Sequence, residues 1–212
     1  MKLQSYYNLI NAAVQYVVYT SEKYNIDESH SLKHSIDVFH TANKIYNAEV
    51  KNHPYLSTHK NIIDVSALLH DMCDKKYVNQ ESSITDMKEY MYPFIDKTEI
   101  DVVSQIISTM SYSTVKHNGY PALGEYQLAY HIVREADLLT AYDTDRCIIY
   151  GMMRENLNYI DATKRATELL KKRVLNYMPD NLFVTEYSKK QSCILHADCI
   201  KQIDILNDIS RQ

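Results

Sequence analysis

The chain has 212 residues, of which 27 are acidic and 23 basic, so its formal net charge is −4 at neutral pH. This mild negative charge argues against a protein that binds the nucleic-acid backbone, because such proteins are usually basic. With three glycines and four prolines, the composition disfavours a turn-rich β fold and favours helices. The length suits one ordinary domain with a sizeable core.

The sequence gives no sign of a membrane or secretory segment. No apolar run reaches the roughly 20 residues that a membrane span needs, and the N-terminal residues lack the apolar stretch of a signal peptide. The four cysteines show no C-x-x-C pairing, so we expect free thiols in a reducing compartment. We therefore predict a cytoplasmic protein with no membrane partner.

Apolar residues recur at helical spacing along the whole chain. The predicted helices cover residues 3–20, 32–50, 60–76, 84–91, 98–112, 125–142, 145–177 (as one helix or two) and 183–209. Residues 113–124 are predicted to form a long loop, because they hold two of the three glycines. Expected N-caps are Ser29 or Ser31 for the second helix, and Thr98 for the fifth. With no repeat or linker, the pattern predicts an all-α, single-domain helical bundle over residues 1–212.

The apolar run of the third predicted helix ends abruptly in two polar side chains, His70 and Asp71. A carboxylate at the end of a buried element is costly unless it has a partner. A metal ion is one such partner, because imidazole and carboxylate bind it together. The alternatives are a core histidine paired with its neighbour, or a histidine that faces the helix dipole.

Two further polar residues fall at positions that should be buried. His34 lies four residues before Val38 on the apolar face of the second helix, and Asp137 lies inside the apolar segment 125–142. Together with the adjacent His70 and Asp71, they offer two imidazoles and two carboxylates. This ligand set suits a divalent ion of the Mn, Fe, Co, Ni or Zn type, with room left for water and a substrate oxygen.

The sequence around these residues resembles the HD-domain superfamily of metal-dependent phosphohydrolases. Residues 27–38 read D-E-S-H-S-L-K-H-S-I-D-V, similar to the family pattern D-x-S-H-x-x-x-H-x-x-x-V. Residues 67–71 read A-L-L-H-D, the central family signature, and residues 135–141 read E-A-D-L-L-T-A, similar to x-A-D-x-L-D-A. Thr140 stands where the family often has Asp. The match spans about residues 25–150, and the C-terminal helices of residues 151–212 are expected to pack on this core.

The resemblance implies a helical-bundle fold and hydrolysis of phosphate esters, often in nucleotides. It also implies one divalent metal ion (Mn, Fe, Co, Ni, Zn or Mg) held by His34, His70, Asp71 and Asp137. Some relatives bind two metals through additional histidines. Here His117 is expected in a loop and His131 points away from Asp137 by helical geometry, so we expect a single ion.

Asp74 is the expected catalytic acid or base. It follows Asp71 by three residues and His70 by four, so it would face the same side if the helix continued. Members of the family that resemble 5′-nucleotidases carry a Glu at this offset that handles protons. The alternative for Asp74 is a solvated acid paired with Lys75 or Lys76.

Three cations are candidates for substrate binding. Lys76, just beyond the predicted site, could hold a phosphate as a point charge, or could simply be an exposed helix end. His30, one turn before His34, could contact phosphate or support the metal ligands, or could lie in a surface loop. Arg134, one turn before Asp137, could reach a phosphate oxygen or form a salt bridge with Asp137.

We therefore predict a metal-dependent phosphohydrolase that cleaves a phosphate ester of a nucleotide or related small molecule by a metal-activated water. Its expected partner is a small phosphorylated substrate rather than a nucleic-acid duplex. The alternative is a catalytically weak HD-type regulatory module that binds a nucleotide. Asp74 in place of Glu and Thr140 in place of Asp leave this alternative open. A third interpretation is a purely structural helical domain. The particular ester, the native metal and a homodimeric state stay open.

Overall fold

The computed structural model of the protein describes residues 3–210, which form ten α-helices and three short 3-10 helices. The α-helices are α1 (Leu3–Tyr24), α2 (Leu32–Glu49), α3 (Lys60–Leu69), α4 (Gln80–Met91), α5 (Lys97–Thr109), α6 (Tyr112–Asn118), α7 (Gln127–Thr140), α8 (Thr144–Met153), α9 (Tyr159–Lys172) and α10 (Glu186–Ile209). The 3-10 helices are Pro54–His59, Gly124–Tyr126 and Val174–Asn176. No strand occurs between residues 3 and 210, and the predicted all-α bundle is confirmed.

Helices α2, α3 and α7 pack against one another at the centre of the bundle. All eight residues from Ile62 to Leu69 of α3 are buried, and so is the run from Ala129 to Ala136 of α7. Helices α1 and α5 pack on α3, and α10 crosses α2, α7 and α9. Polar side chains carried by α2, α3 and α7 are therefore brought together inside the bundle.

Helices α8 and α9 form a closely packed pair beside this centre. Gly151 permits their approach, because a Cβ there would lie 3.2 Å from the Cβ of Ala162. Ile148, Ala162, Ala166 and Leu206 form a small second core between this pair and α10. The pair places the basic residues of the C-terminal region next to the central helices.

The structure corrects several predicted helix ends. Helix α3 ends at Leu69, seven residues earlier than predicted, and residues 70–77 form turns. Helix α4 begins at Gln80 rather than residue 84, because the Asn79 side chain accepts a hydrogen bond from the Ser82 amide and caps the helix. Asp96, not Thr98, caps α5 by accepting from the Thr98 amide.

The predicted loop over residues 113–124 is wrong in its first half, which is helix α6. Ser111 caps this helix, and Gly119, with φ of 75°, ends it. The segment 145–177 is two helices, separated where Asn156 adopts a φ of 56°. Ser31 precedes α2, but its side chain makes no capping hydrogen bond.

Two expectations about the whole chain can be compared with the structure. The cysteines Cys73, Cys147, Cys193 and Cys199 are all free, as predicted. Within residues 3–210, every helix is too short or too polar to cross a lipid bilayer.

Candidate metal centre

The four predicted ligands meet at the centre of the bundle. The Nε2 atoms of His34 and His70 lie 3.0 Å apart. Oδ2 of Asp71 lies 3.4 Å from Nε2 of His34 and 3.2 Å from Nε2 of His70. Oδ1 of Asp137 lies 3.4 Å and 3.8 Å from the same two nitrogens. We call these four residues the central cluster.

Local structure explains how the sequence builds this cluster. Because α3 ends at Leu69, His70 occupies its C-cap position and turns its ring back over the last helical turn. Nδ1 of His70 donates to the carbonyl of Ala67 at 2.9 Å, which directs Nε2 towards His34. Asp137 reaches the cluster from the last turn of α7.

The cluster fits a divalent cation. Ligand atoms of His34, His70 and Asp137 all lie within 4.8 Å of one another. Oδ2 of Asp71 is buried and has no hydrogen-bond partner, a state that costs free energy for a carboxylate. A cation between these atoms would remove that cost, and two imidazoles with two carboxylates suit transition metals. A His/His/Asp group able to hold a metal ion is thus present, as the sequence predicted.

The charges of the cluster are strongly coupled. Burial alone would lower the pKa of His70, but the carboxylates of Asp71 and Asp137 outweigh it and raise that pKa to about 9. Burial, and then the positive charge of Arg146, lower the pKa of His34 to about 4. Burial opposes ionisation of Asp137, yet the His34 hydrogen bond and the His70 charge hold its pKa below the usual range. The two carboxylates thus attract positive charge to this site.

A cavity of about 450 Å³ opens beside the central cluster, and His70, Asp71 and Asp137 line it. Three of the four predicted catalytic and substrate-binding residues also line this cavity, namely His30, Asp74 and Lys76. A small ligand in the cavity would therefore contact both the cluster and these three residues.

His30 is held in a hydrogen-bonded network at the edge of this cavity. Its Nδ1 lies 2.6 Å from Oγ of Ser29 and 3.1 Å from the Tyr77 hydroxyl. Both hydroxyls already donate to Asp27, so Nδ1–H donates to them. Nε2 of His30 lies 3.4 Å from Nζ of Lys76. Burial lowers the pKa of His30 to about 3, so a neutral imidazole with fixed orientation faces Lys76.

Asp74 lines the cavity for a different reason from the one predicted. The helix does not continue past Leu69, so Asp74 lies in the following turn rather than on a helical face. Its carboxylate accepts from the Lys76 amide at 2.8 Å and lies 3.2 Å from Nζ of Lys76. The two features that were predicted as alternatives for Asp74 occur together: it lines the cavity beside the metal ligands, and it pairs with a lysine.

The structure does not bring Arg134 to the cavity. Its guanidinium is buried, donates to the carbonyl of Leu182 and to the Tyr120 hydroxyl, and stacks on the Tyr120 ring. The expected salt bridge with Asp137 is made instead by Arg146, whose Nη1 lies 3.8 Å from Oδ1 of Asp137. One helical turn separates Arg134 from Asp137, but the arginine side chain extends to the segment before α10.

His131, on the same helix as Asp137, also lies away from the central cluster. Its Nε2 accepts from the Gln127 side chain at 3.3 Å, and its ring packs against Tyr120 at a centroid distance of 5.0 Å. Burial, and then Arg134, lower its pKa to about 4. His131 is therefore a buried neutral histidine of the core.

Sequence reasoning missed the C-terminal wall of the cavity. Arg146 contacts Asp137 and also donates through Nε to the carbonyl of Ser29 at 2.6 Å. Arg165 and Arg173 line the same cavity, as do Tyr150 and Tyr177. The available signal was the basic character of the 164–173 segment, but spacing alone does not show which of its cations face inward.

Comparison with known proteins adds nothing to this description. The chain matches no protein-family profile, no curated protein and no solved structure. The resemblance to the HD-domain superfamily therefore depends on three short sequence contexts.

Proposed function

We propose that the protein is a metal-dependent phosphohydrolase of the HD type. The observation that carries the proposal is the convergence of His34, His70, Asp71 and Asp137 beside a cavity that is lined by three of them and also by Lys76. Lysine is suited to bind phosphate as a point charge. Its position beside a metal-type ligand set supports phosphate chemistry over a purely structural metal site.

His34, His70, Asp71 and Asp137 would hold one divalent ion. When bound, such an ion neutralises charge on a phosphate oxygen and activates water for hydrolysis. The buried imidazoles and partly buried carboxylates fix the ligand atoms before substrate arrives, so little reorganisation is needed on binding.

The remaining cavity residues would bind and protonate the substrate. Nζ of Lys76 would donate to a phosphate oxygen, and the neighbouring His30 ring would orient that ammonium group through its 3.4 Å contact. Asp74 is the carboxylate of the cavity outside the ligand set. It would take a proton from the attacking water or give one to the leaving oxygen.

The size of the cavity supports a small substrate. About 450 Å³ is within the range of pockets that take nucleotides and similar small molecules. The recessed position of the central cluster favours a small phosphate ester over a nucleic-acid duplex. A cytoplasmic location remains a prediction.

Substituting Asp71 by Ala tests the proposal. We expect loss of the bound metal and a fall of about 1,000-fold or more in turnover, because the three remaining ligands would hold the ion too weakly. The assay uses a panel of nucleotides and p-nitrophenyl phosphate esters with Mn, Co, Ni or Mg, and metal content is measured by elemental analysis. Asp204→Asn, an exposed acid on α10, is the control. An Asp71→Ala protein that binds metal and turns over esters as before contradicts the assignment.

The second candidate is a regulatory module that binds a nucleotide without turnover. The pairing of Asp74 with Lys76 favours it, because a carboxylate held by a lysine is less free to move protons. The same panel separates the two functions. Saturable nucleotide binding with no turnover under any of the four metals supports the module.

A further inference from the structure

The cavity beside the central cluster carries more positive charge than one phosphate group requires. Five cationic side chains line it, and they lie in two groups. Lys75 and Lys76 follow α3, whereas Arg146, Arg165 and Arg173 come from α8, α9 and the residue after α9. The acidic side chains of the cavity are three, Asp71, Asp74 and Asp137, and two of these belong to the cluster.

The three arginines differ in their partners. Arg146 lies 3.8 Å from Asp137, and Arg165 pairs with Glu155 at 3.3 Å. Arg173 instead makes its polar contact with a neutral group, because its Nε donates to the Tyr177 hydroxyl at 3.1 Å. Arg173 is thus the arginine of this wall whose charge is best available to a ligand.

Aromatic side chains hold Arg173 in place. Its Cζ lies 4.7 Å from the centre of the Tyr112 ring, and the Tyr112 and Tyr177 rings are 5.3 Å apart. Tyr112 and Tyr177 also line the cavity. A stacked, hydrogen-bonded guanidinium loses less side-chain entropy on binding an anion than a mobile lysine would.

Tyr177 connects this arginine to the central cluster. Its hydroxyl accepts from Arg173, and the phenol lies near enough to Asp137 to feel its charge. Arg173, Tyr177 and the cluster residue Asp137 all line the same cavity. This places a cation in the cavity wall directly after α9, whereas Lys75 and Lys76 lie in the turn after α3.

We propose that Arg173, held by Tyr112 and Tyr177, binds a second phosphate group of the substrate, separate from the phosphate that is cleaved at the central cluster. The inference rests on the proposed function and narrows its substrate class. The substrate carries at least two phosphate groups, as in a nucleoside polyphosphate or a nucleoside bisphosphate. A guanidinium suits this role because it can bind phosphate oxygens through two parallel hydrogen bonds.

Kinetics with matched substrates test the subsite. Adenosine 5′-monophosphate is compared with adenosine 5′-diphosphate, adenosine 5′-triphosphate and adenosine 3′,5′-bisphosphate, using the most activating metal. Arg173→Gln should raise KM for the best multiply phosphorylated substrate by about 10-fold or more, and for the monophosphate by less than about 2-fold. Lys172→Gln, an exposed lysine one residue away, should leave both values unchanged. Arg173→Lys should recover part of the loss, since it keeps the charge without the paired hydrogen bonds.

Direct binding makes the inference testable apart from turnover. Calorimetric titration of the metal-free protein with tripolyphosphate should show at least 10-fold weaker binding to Arg173→Gln than to the wild type. Titration with orthophosphate should show a smaller change. Equal tripolyphosphate binding by the two proteins, or an equal change in KM for mono- and multiphosphorylated substrates, overturns the subsite. Those results would leave the hydrolase intact, whereas a wild type inactive on every ester with every metal would overturn the hydrolase and, with it, the substrate class inferred here.

Discussion

Helix α7 carries two carboxylates with opposite surroundings, the fully buried Glu135 and the partly buried Asp137. Both oxygens of Glu135 accept hydrogen bonds, from the Val184 amide at 2.6 Å and from the Thr185 amide and hydroxyl at 3.1 and 2.6 Å. Two residues later, Asp137 joins a cluster in which Oδ2 of Asp71 has no hydrogen-bond donor. A carboxylate satisfied by the protein holds the fold together, whereas one left without a donor in a cavity indicates a ligand site.

The same contrast separates the pKa of Glu135 from the pKa of Asp71, the cluster carboxylate that has no donor. Burial raises the pKa of Glu135, although the hydrogen bonds from Thr185 and Val184 oppose this change. Burial acts in the same direction at Asp71, but the positive charge of His70 holds its pKa well below the usual range. Neutral donors of the chain make the hydrogen bonds of Glu135, with the Arg134 guanidinium 3.9 Å away, whereas the cluster depends on positive charge.

Outside the four predicted metal ligands, the largest expected effect is on catalysis and comes from Asp74. Asp74→Asn should lower kcat by about 100-fold, because general acid–base groups contribute about that much, while metal affinity and stability stay near the wild-type values. Steady-state kinetics, metal titration and thermal melting measure the three quantities. Asp204→Asn serves again as the control. An unchanged kcat would show that Asp74 serves only to position Lys76.

Substitution of Glu135 should lower the stability and leave kcat unchanged, the reverse of the Asp74 prediction. Glu135→Gln places an amide N–H against backbone donors, so we expect a loss of about 2–3 kcal/mol in the free energy of unfolding. Below the melting temperature, metal binding and kcat should match the wild type. Urea denaturation gives the stability, with the exposed Glu168→Gln on α9 as the matched control. Loss of metal binding at full stability would place Glu135 with the cluster instead.

The smallest expected effect is a pH dependence of stability from His131. The folded protein keeps this ring neutral down to about pH 4, whereas the unfolded chain protonates it below about pH 6.5. Stability is therefore lost as the pH falls through this range, and we expect His131 to contribute roughly 1–2 kcal/mol of the loss between pH 7 and pH 5.

His131→Gln removes this titration and can still pair with Gln127. Urea denaturation at pH 7 and pH 5 should show a smaller pH-dependent loss for this variant than for the wild type. His40→Gln, on the exposed part of α2, should behave as the wild type. An identical loss in wild type and His131→Gln would show that other groups, such as His30, account for the acid sensitivity.

The helices of the bundle were predictable because long apolar stripes specify them. The helix ends were harder to predict. Asn79, Asp96 and Ser111 cap three helices, each through its side chain, and many other polar residues of the sequence could have made the same hydrogen bonds. The close approach of α8 and α9 depends on Gly151, whose role in packing is visible only in three dimensions.

The central cluster was predictable for a different reason. Each of its four polar residues falls at a position where the helical pattern demands burial, and such positions are costly without partners. Arg146 and Arg173 could not be found in this way, because long cationic side chains are ordinary at a surface. Arg134 shows the converse, since its correct spacing from Asp137 does not decide where a long side chain extends.

The early end of α3 has a consequence for binding. His70 and Asp71 lie where regular helix gives way to the turn that carries Asp74 and Lys76, and the Asp74 amide donates to the Asp71 carbonyl at 3.2 Å. Any ion held by His70 and Asp71 would therefore also restrain the backbone of the substrate-binding turn. Occupancy of the site and order in the turn are then linked equilibria, so metal and substrate should each increase the affinity of the protein for the other.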